Sequence, residues 1–404
     1  MPSPARCAGG NPRLRRTPRP GRADDRAASH LRAGRPGMPS LARQIHRRSP
    51  QRDSRGLRRQ RAGRAAWPNR HRCVEPILAA QARGQPPNFM NIPSLREVAR
   101  LGTVHHMLFG RCTRDPDFHT ETLHRLITWP ELDTFDCCLP FGEARQQELA
   151  RAIRACGKVH ITFAPHLFPG RKLSFSSPDY AEQEQCRVLA RYFIDQAAAI
   201  GARYFIFFSG GPSWVDGTPE HHRAFRDFCR WLCRSLAPHG ITALLEPFDF
   251  TVDKKFLYGP LDECITLLEE IGAEHENIGM ELDIAHLPLM GEDIVSSIHR
   301  ARRWIQRVHL GNCCMRPVSD PFYGDNHPPI GYVNGEIDTP QIALALRALA
   351  DIGYLNPSTK GDLVIELQPF PGRSEKDSLR DNLQRVEDAW QLQASANQLA
   401  GLTP

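Results

Sequence analysis

Between residues 100 and 392 the chain alternates, eight times over, a short apolar run with a longer stretch, several of these with clear helical periodicity. The runs expected to be strands are Val104–Phe109, Thr134–Leu139, Lys158–Phe163, Tyr204–Ser209, Ile241–Pro247, Ile278–Ile284, Gln306–Gly311 and Leu363–Gln368. They are brief, apolar and often bounded by Gly or Pro, as strands covered on both faces should be. Among the helical stretches, Tyr180–Ile200 repeats apolar residues at spacings of three and four and stops at Gly201. His221–Leu236 runs up to Gly240 and Leu261–Ile271 up to Gly272. Gly just past the last periodic residue is a common helix stop. Asp338–Gly353 and Ser378–Leu392 complete the set. Eight strand–helix units over roughly 300 residues predict an α/β fold, a closed (β/α)8 barrel. An open doubly wound sheet would place a glycine-rich phosphate loop after its first strand. Phe109-Gly110-Arg111-Cys112 stands there instead, without the GxGxxG spacing.

Charge divides the chain in two. Residues 1–89 hold 21 Arg and no Lys against three Asp and one Glu, a net of +17. The remainder carries −10, so the formal +7 of the whole conceals an acidic body. The first segment has few aromatic or β-branched residues and cannot bury enough apolar surface to offset its ordering entropy. Residues 1–90 are therefore expected to be a disordered Arg/Pro-rich tail, 91–395 the barrel, and 396–404 a short C-terminal tail. A start codon assigned upstream of Met90 is the preferred account of the tail, since foldable sequence begins there. A nucleic-acid-binding arm built on clusters such as Arg13, Arg15, Arg16 and Arg58, Arg59, Arg61 is one alternative. An Arg-rich transit peptide is another. No apolar core of a secretion signal follows the arginines, and no run reaches the ~18 apolar residues of a membrane span. Twelve Cys lack the paired CxxC spacing of a zinc module. A reducing cytoplasm is the expected compartment.

In a barrel of this type the functional groups project from the C-terminal ends of strands. The last four runs end alike. They read Leu245-Glu246-Pro247, Leu282-Asp283-Ile284-Ala285-His286, Val308-His309-Leu310 and Ile365-Glu366-Leu367. A carboxylate at the end of an apolar run needs a cation, a hydrogen-bond network or a metal as partner. Consecutive strands are neighbours, so Glu246, Asp283, His309 and Glu366 can converge on one point. Three carboxylates and an imidazole suit one divalent ion such as Mn²⁺, Mg²⁺, Co²⁺ or Zn²⁺. Glu281 shares a strand face with Asp283 but lies deeper, and is read as a supporting polar group.

The segments LEPFD, ELDIAH, VHLGN and VIELQPF resemble those of the xylose-isomerase-like TIM barrels, in the sugar phosphate isomerase/epimerase family. The resemblance spans nearly all of residues 95–392 and is strongest from Glu246 onward. It implies that Glu246, Asp283, His309 and Glu366 hold the metal, and that His286 contacts substrate. The stretch from His327-Pro328-Pro329-Ile330-Gly331 to Asp338 is similar to the family's loop after strand seven. Two positions depart from the pattern. Ketohexose epimerases often carry a second Glu six residues after the first, where Val252 stands here. Family members also place an Arg shortly after the strand-seven His, and Arg316 is near that position.

The implied activity is isomerisation or epimerisation of a sugar or sugar phosphate through proton abstraction and an enediolate. Glu246 and Glu366 would move the proton. Close relatives include hydroxypyruvate isomerases and cyclitol dehydratases. His166 and Lys254 are further candidates for substrate binding, with His105 and His106 as possible pocket walls. The bland alternatives are a polar wall residue for each His and a solvated charge pair for Lys254. Trp214 either stacks on a sugar or packs its loop, and Cys313-Cys314 is read as packing. Two rival functions share the fold: a three-zinc apurinic-site endonuclease, and a sugar-binding barrel without catalysis. The acidic body argues against nucleic acid as a partner. The chain is compatible with a homo-oligomer, and no membrane association is expected.

Overall fold

The computed structural model describes residues 93–165 and 173–400, with side chains through residue 395. The expected tail of residues 1–90 and the candidate His166 lie outside the described residues. Eight parallel strands run β1 (Ala99–Thr103), β2 (Asp136–Cys137), β3 (Thr162–Phe163), β4 (Tyr204–Phe207), β5 (Thr242–Leu245), β6 (Ile278–Asp283), β7 (Ile305–Leu310) and β8 (Gly361–Ile365). Their order is β1-β8-β7-β6-β5-β4-β3-β2. A parallel bridge between Val104 and Asp136 joins the two ends and closes the barrel. This is the TIM barrel expected from the alternation.

Local chemistry sets the helices between strands. Tyr180–Ile200 begins at Asp179, whose side chain accepts the Glu182 N–H at 2.8 Å, and ends at Gly201 with φ of +70°. Pro219–Leu236 starts with Pro at its first position, where the missing N–H costs nothing. Thr339–Asp351 is capped by Asp338 and Gln341 in a reciprocal box. No described helix is long and apolar enough to cross a membrane. The last helix, Glu375–Ala400, runs past Leu392 and through much of the expected C-terminal tail.

One strand differs from expectation. The apolar run Val104–Phe109 is not β1: Val104 only bridges, and His105–Leu108 is a helical turn. The strand lies five residues earlier and reads Ala-Arg-Leu-Gly-Thr. Arg100 hides the pattern because it pairs with Asp362 of β8 at 2.5 Å. Gly102 hides it because a Cβ there would stand 2.7 Å from Thr134 Cγ2.

The barrel interior is uneven. On one side Ala164, Tyr204, Ile206 and Leu244 make a small apolar cluster. On the other, Asp136, Arg307 and Asp362 are buried at 0–1% exposure and joined as ion pairs. The larger apolar core fills the space between strands and helices.

Candidate active site and metal centre

Glu246 directly follows β5, Asp283 ends β6, His309 is next to last in β7, and Glu366 follows β8. Parallel register sets Asp283 opposite His309. One donor atom from each of the four lies within 4.8 Å of the other three. All four side chains are buried.

Three of their atoms, Asp283 Oδ2, His309 Nδ1 and Glu366 Oε2, are buried without a hydrogen bond. His309 Nδ1 is 2.6 Å from Glu366 Oε2 but is not aligned as a donor. Leaving a buried polar atom unpaired costs about 1–3 kcal/mol. Two carboxylate oxygens and an imidazole nitrogen crowded together from three neighbouring strands without an aligned hydrogen bond are donors of the type that holds a divalent cation.

The far side of His309 is firmly held. Its Nε2 lies 2.8 Å from Asp136 Oδ2. Arg307, two residues earlier on the same strand face, reaches across the barrel to Asp136, with Nε 3.1 Å from Oδ2. Arg307 also donates to Asp362 at 3.3 Å, and Asp362 in turn pairs with His160 at 2.8 Å and Arg100 at 2.5 Å. A carboxylate on the outer nitrogen fixes a ligating imidazole's orientation and raises its basicity. Glu281 accepts the His309 backbone N–H at 3.1 Å, and burial pushes its carboxyl well above the ordinary range.

A second charged group borders the first. His286 Nδ1 donates to the Pro247 carbonyl at 2.9 Å, and its Nε2 is 3.1 Å from Asp325 Oδ1. His327 Nε2 is 2.8 Å from the same Asp325 oxygen. Lys254 Nζ is 3.0 Å from Asp325 Oδ2 and from Asp253 Oδ2. Burial would raise the Asp325 carboxyl, but His286, Lys254 and His327 together hold it well below the carboxylate range. Close approach requires Gly311, since a Cβ there would fall 2.6 Å from His327 Nδ1.

Above the four-residue cluster lies a cavity of about 330 Å³. Glu246, His309, Glu366, Lys254 and His327 line it together with Met107, Ile206, Phe208 and Phe248. Apolar side chains around a few convergent polar groups are typical of a small-molecule site. His106 lines this cavity, whereas His105 turns into the core. Trp214 packs edge-on against His222 at 4.8 Å between ring centres. Cys313 and Cys314 are fully buried. Arg316 is exposed on the loop after β7, and Asp325, Asn326 and His327 form the cavity wall on that side. Val252, where related epimerases have Glu, packs against Ala285, Leu289 and Cys313.

Their surroundings push the two glutamates in opposite directions. Burial, then Glu366 and Asp283, push Glu246 up to about 8 against the opposing pull of His286. Burial also acts on Glu366, but His327 and His309 outweigh it and hold the group down to about 2. A divalent ion on these oxygens would hold both carboxyls ionised.

Asp136, Arg307, Asp325 and His327 were not singled out as site residues from sequence. Arg307 carried a usable signal, because it shares the inward face of its strand with His309. Asp325 carried little, and His327, which has φ of +43°, opens the stretch that resembles the family's loop after strand seven without that resemblance giving it a role.

Residues 127–389 match the family described as "Xylose isomerase-like TIM barrel". A 3-dehydroshikimate dehydratase of Bacillus anthracis is 28% identical over 129 residues, 32% of this chain and 41% of that protein. The match thus spans less than half the length of that relative. Among solved structures, a D-tagatose 3-epimerase-like protein superposes with a TM-score of 0.54 at 18% identity, covering 72% of this chain and 98% of its own. An L-ribulose 3-epimerase gives 0.54 at 18%, covering 75% and 97%. The profile match takes in well over half the chain, and with the closed eight-stranded barrel it places this protein in the xylose isomerase-like TIM barrel family.

Proposed function

We propose that the protein is a metal-dependent isomerase or epimerase of a sugar or sugar phosphate. The observation that carries this reading is the convergence of Glu246, Asp283, His309 and Glu366 beneath a cavity, with three of their buried atoms lacking an aligned hydrogen bond. A divalent ion held there supplies Lewis-acid stabilisation of the charge that develops when a carbon next to a carbonyl loses its proton.

The chain's own residues do the rest. Glu366 and Glu246 both face the cavity and, ionised as ligands of the ion, move the proton: one takes it from carbon and one returns a proton to carbon. Asp283 and His309 serve to hold the ion. Lys254 faces the cavity and meets a substrate hydroxyl or phosphate. His286, with both ring nitrogens on protein acceptors, orders Asp325 and Pro247 around the substrate. The apolar wall of Met107, Ile206, Phe208 and Phe248 excludes water from the reacting carbon.

A panel of ketoses, aldoses and their phosphates, turned over in deuterium oxide, tests the reading. Deuterium is expected at the carbon next to the carbonyl of both product and recovered substrate. Turnover without any deuterium incorporation would rule out the proton-abstraction route. Glu246→Gln is expected to lower kcat by about 10²–10⁴-fold through loss of a proton-transfer group.

The resemblance to a 3-dehydroshikimate dehydratase supports a second reading, dehydration of a hydroxy-carbonyl compound. It begins with the same proton removal and ends with loss of a hydroxyl. A conjugated product absorbing in the ultraviolet would select it. The endonuclease reading would use Asp283, His286 and His327, which also come together. Lys254 already neutralises the neighbouring Asp325, so that second group has less need of an ion.

A further inference from the structure

The barrel has a second cavity, at the end opposite the acidic cluster. It opens at the N-terminal ends of β1, β4, β7 and β8 and also measures about 330 Å³. Arg100, Arg203, Arg302 and Lys360 line it, against a single carboxylate, Asp362. The sign of this concavity is thus the reverse of the acidic body around it, which carries −10.

Asp362 does not supply the balance. It is already held by Arg100 at 2.5 Å, by His160 at 2.8 Å and, from the interior, by Arg307 at 3.3 Å. Arg100 gives its other nitrogens to the Thr359 and Lys360 carbonyls at 2.9 and 2.5 Å. The other three cations bond to neutral acceptors. Arg203 donates Nε–H to the Tyr204 hydroxyl at 3.1 Å, Arg302 Nη1 to the His299 carbonyl at 3.0 Å, and Lys360 Nζ to the Arg96 carbonyl at 2.7 Å. Glu97 feels the Lys360 charge, but its carboxylate is engaged by the Ser94 N–H and hydroxyl. Each of the two guanidiniums therefore keeps most of its five N–H groups for another acceptor. Tyr204 is 5% exposed, and no acceptor among the described residues takes its hydroxyl proton.

We propose that this cavity binds a small oxyanion with two or more negative charges, a phosphate ester or a polycarboxylate, at a site separate from the acidic cluster. The guanidinium forks of Arg203 and Arg302 match the paired oxygens of either group, and Lys360 adds a point charge. Tyr204 donates a directed hydrogen bond to one oxygen. A phosphate monoester brings about −1.5 to −2 in one compact group, close to what the three cations leave unbalanced. Asp362, Arg307 and Asp136 stand in sequence between this cavity and His309, so the anion does not touch the metal ligands. The competing account is that these cations only cap helix ends, as Arg302 does for Ile294–Ala301.

Calorimetric titration of the full chain with pyrophosphate, and separately with citrate, tests the proposal. One saturable equivalent with Kd below about 1 mM is expected. Arg203→Gln and Arg302→Gln, both at exposed positions, should each weaken it at least about tenfold. His309→Ala, which alters the other site, should bind as the wild type does. Hydrogen exchange of the wild type should slow in residues 301–306 and 352–362 when pyrophosphate is added. The tighter of the two probes tells phosphate from carboxylate as the natural group, and either order fulfils the proposal. No saturable binding, or binding that is lost in His309→Ala, overturns it. So does binding that both Arg variants retain in full, the result expected if only the arginines of residues 1–89 held the anion.

Discussion

Replacing Arg307 with methionine is expected to destabilise the folded chain by about 3–5 kcal/mol, since it takes the shared guanidinium from two buried carboxylates and leaves Asp136 only His309, and Asp362 only Arg100 and His160. Asp136 and Asp362 are 0% and 1% exposed, so neither can turn to water instead. Urea denaturation at neutral pH measures the loss. The effect should depend on pH in a definite sense. Burial raises the Asp362 carboxyl, but His160 and Arg307 outweigh it and hold the group below its ordinary value of 3.8. In the wild type this contribution is complete above that ordinary value and is lost as pH falls through the lower folded one. Without Arg307 the Asp362 carboxyl protonates more readily, so the gap between the proteins should narrow toward pH 3. Neutralising all three charges, with Asp136→Asn and Asp362→Asn added, should recover much of the stability. A buried ion pair replaced as a unit is often close to neutral. If the single and triple variants were equally unstable, the interior ion pairs would not be the cause.

His309→Ala is expected to remove one equivalent of divalent metal per chain and at least about 10³-fold of turnover. The latter corresponds to the several kcal/mol a Lewis acid contributes in the transition state. Elemental analysis of the purified variant beside the wild type reads the first, and the sugar panel the second. Asp136→Asn gives an intermediate case. It leaves all four donors in place but removes the carboxylate behind His309 Nε2. Metal affinity should then fall about 10–100-fold with the ion still bound at saturation. An unchanged metal count in His309→Ala would mean that the acidic cluster is not the metal site.

The barrel and its acidic cluster were legible because both are written locally. Each of the last four strands is an apolar run ended by an acid or imidazole, and neighbouring strands must bring those ends together. What escaped depends on partners far away in sequence. Arg100 in β1 breaks the apolar pattern, and only Asp362, 262 residues later, explains it. Arg307 looks like a surface residue until Asp136, 171 residues earlier, is set across the barrel from it. β2 and β3 contribute only two paired residues each, too few to show a period. The residues behind the metal ligands were harder to read than the ligands themselves.

The interior ion pairs also bear on the order in which a growing chain can fold. Asp136 leaves the ribosome early, and its partner Arg307 comes 171 residues later. Asp362, to which Arg307 is also joined, emerges later still. Until then a half-formed barrel would hold a carboxylate in its core with nothing to balance it. The apolar side of the interior, complete by Leu244, pays no such penalty. Synthesis therefore favours consolidation of the middle strands first, with closure of the barrel deferred until its last strand is made.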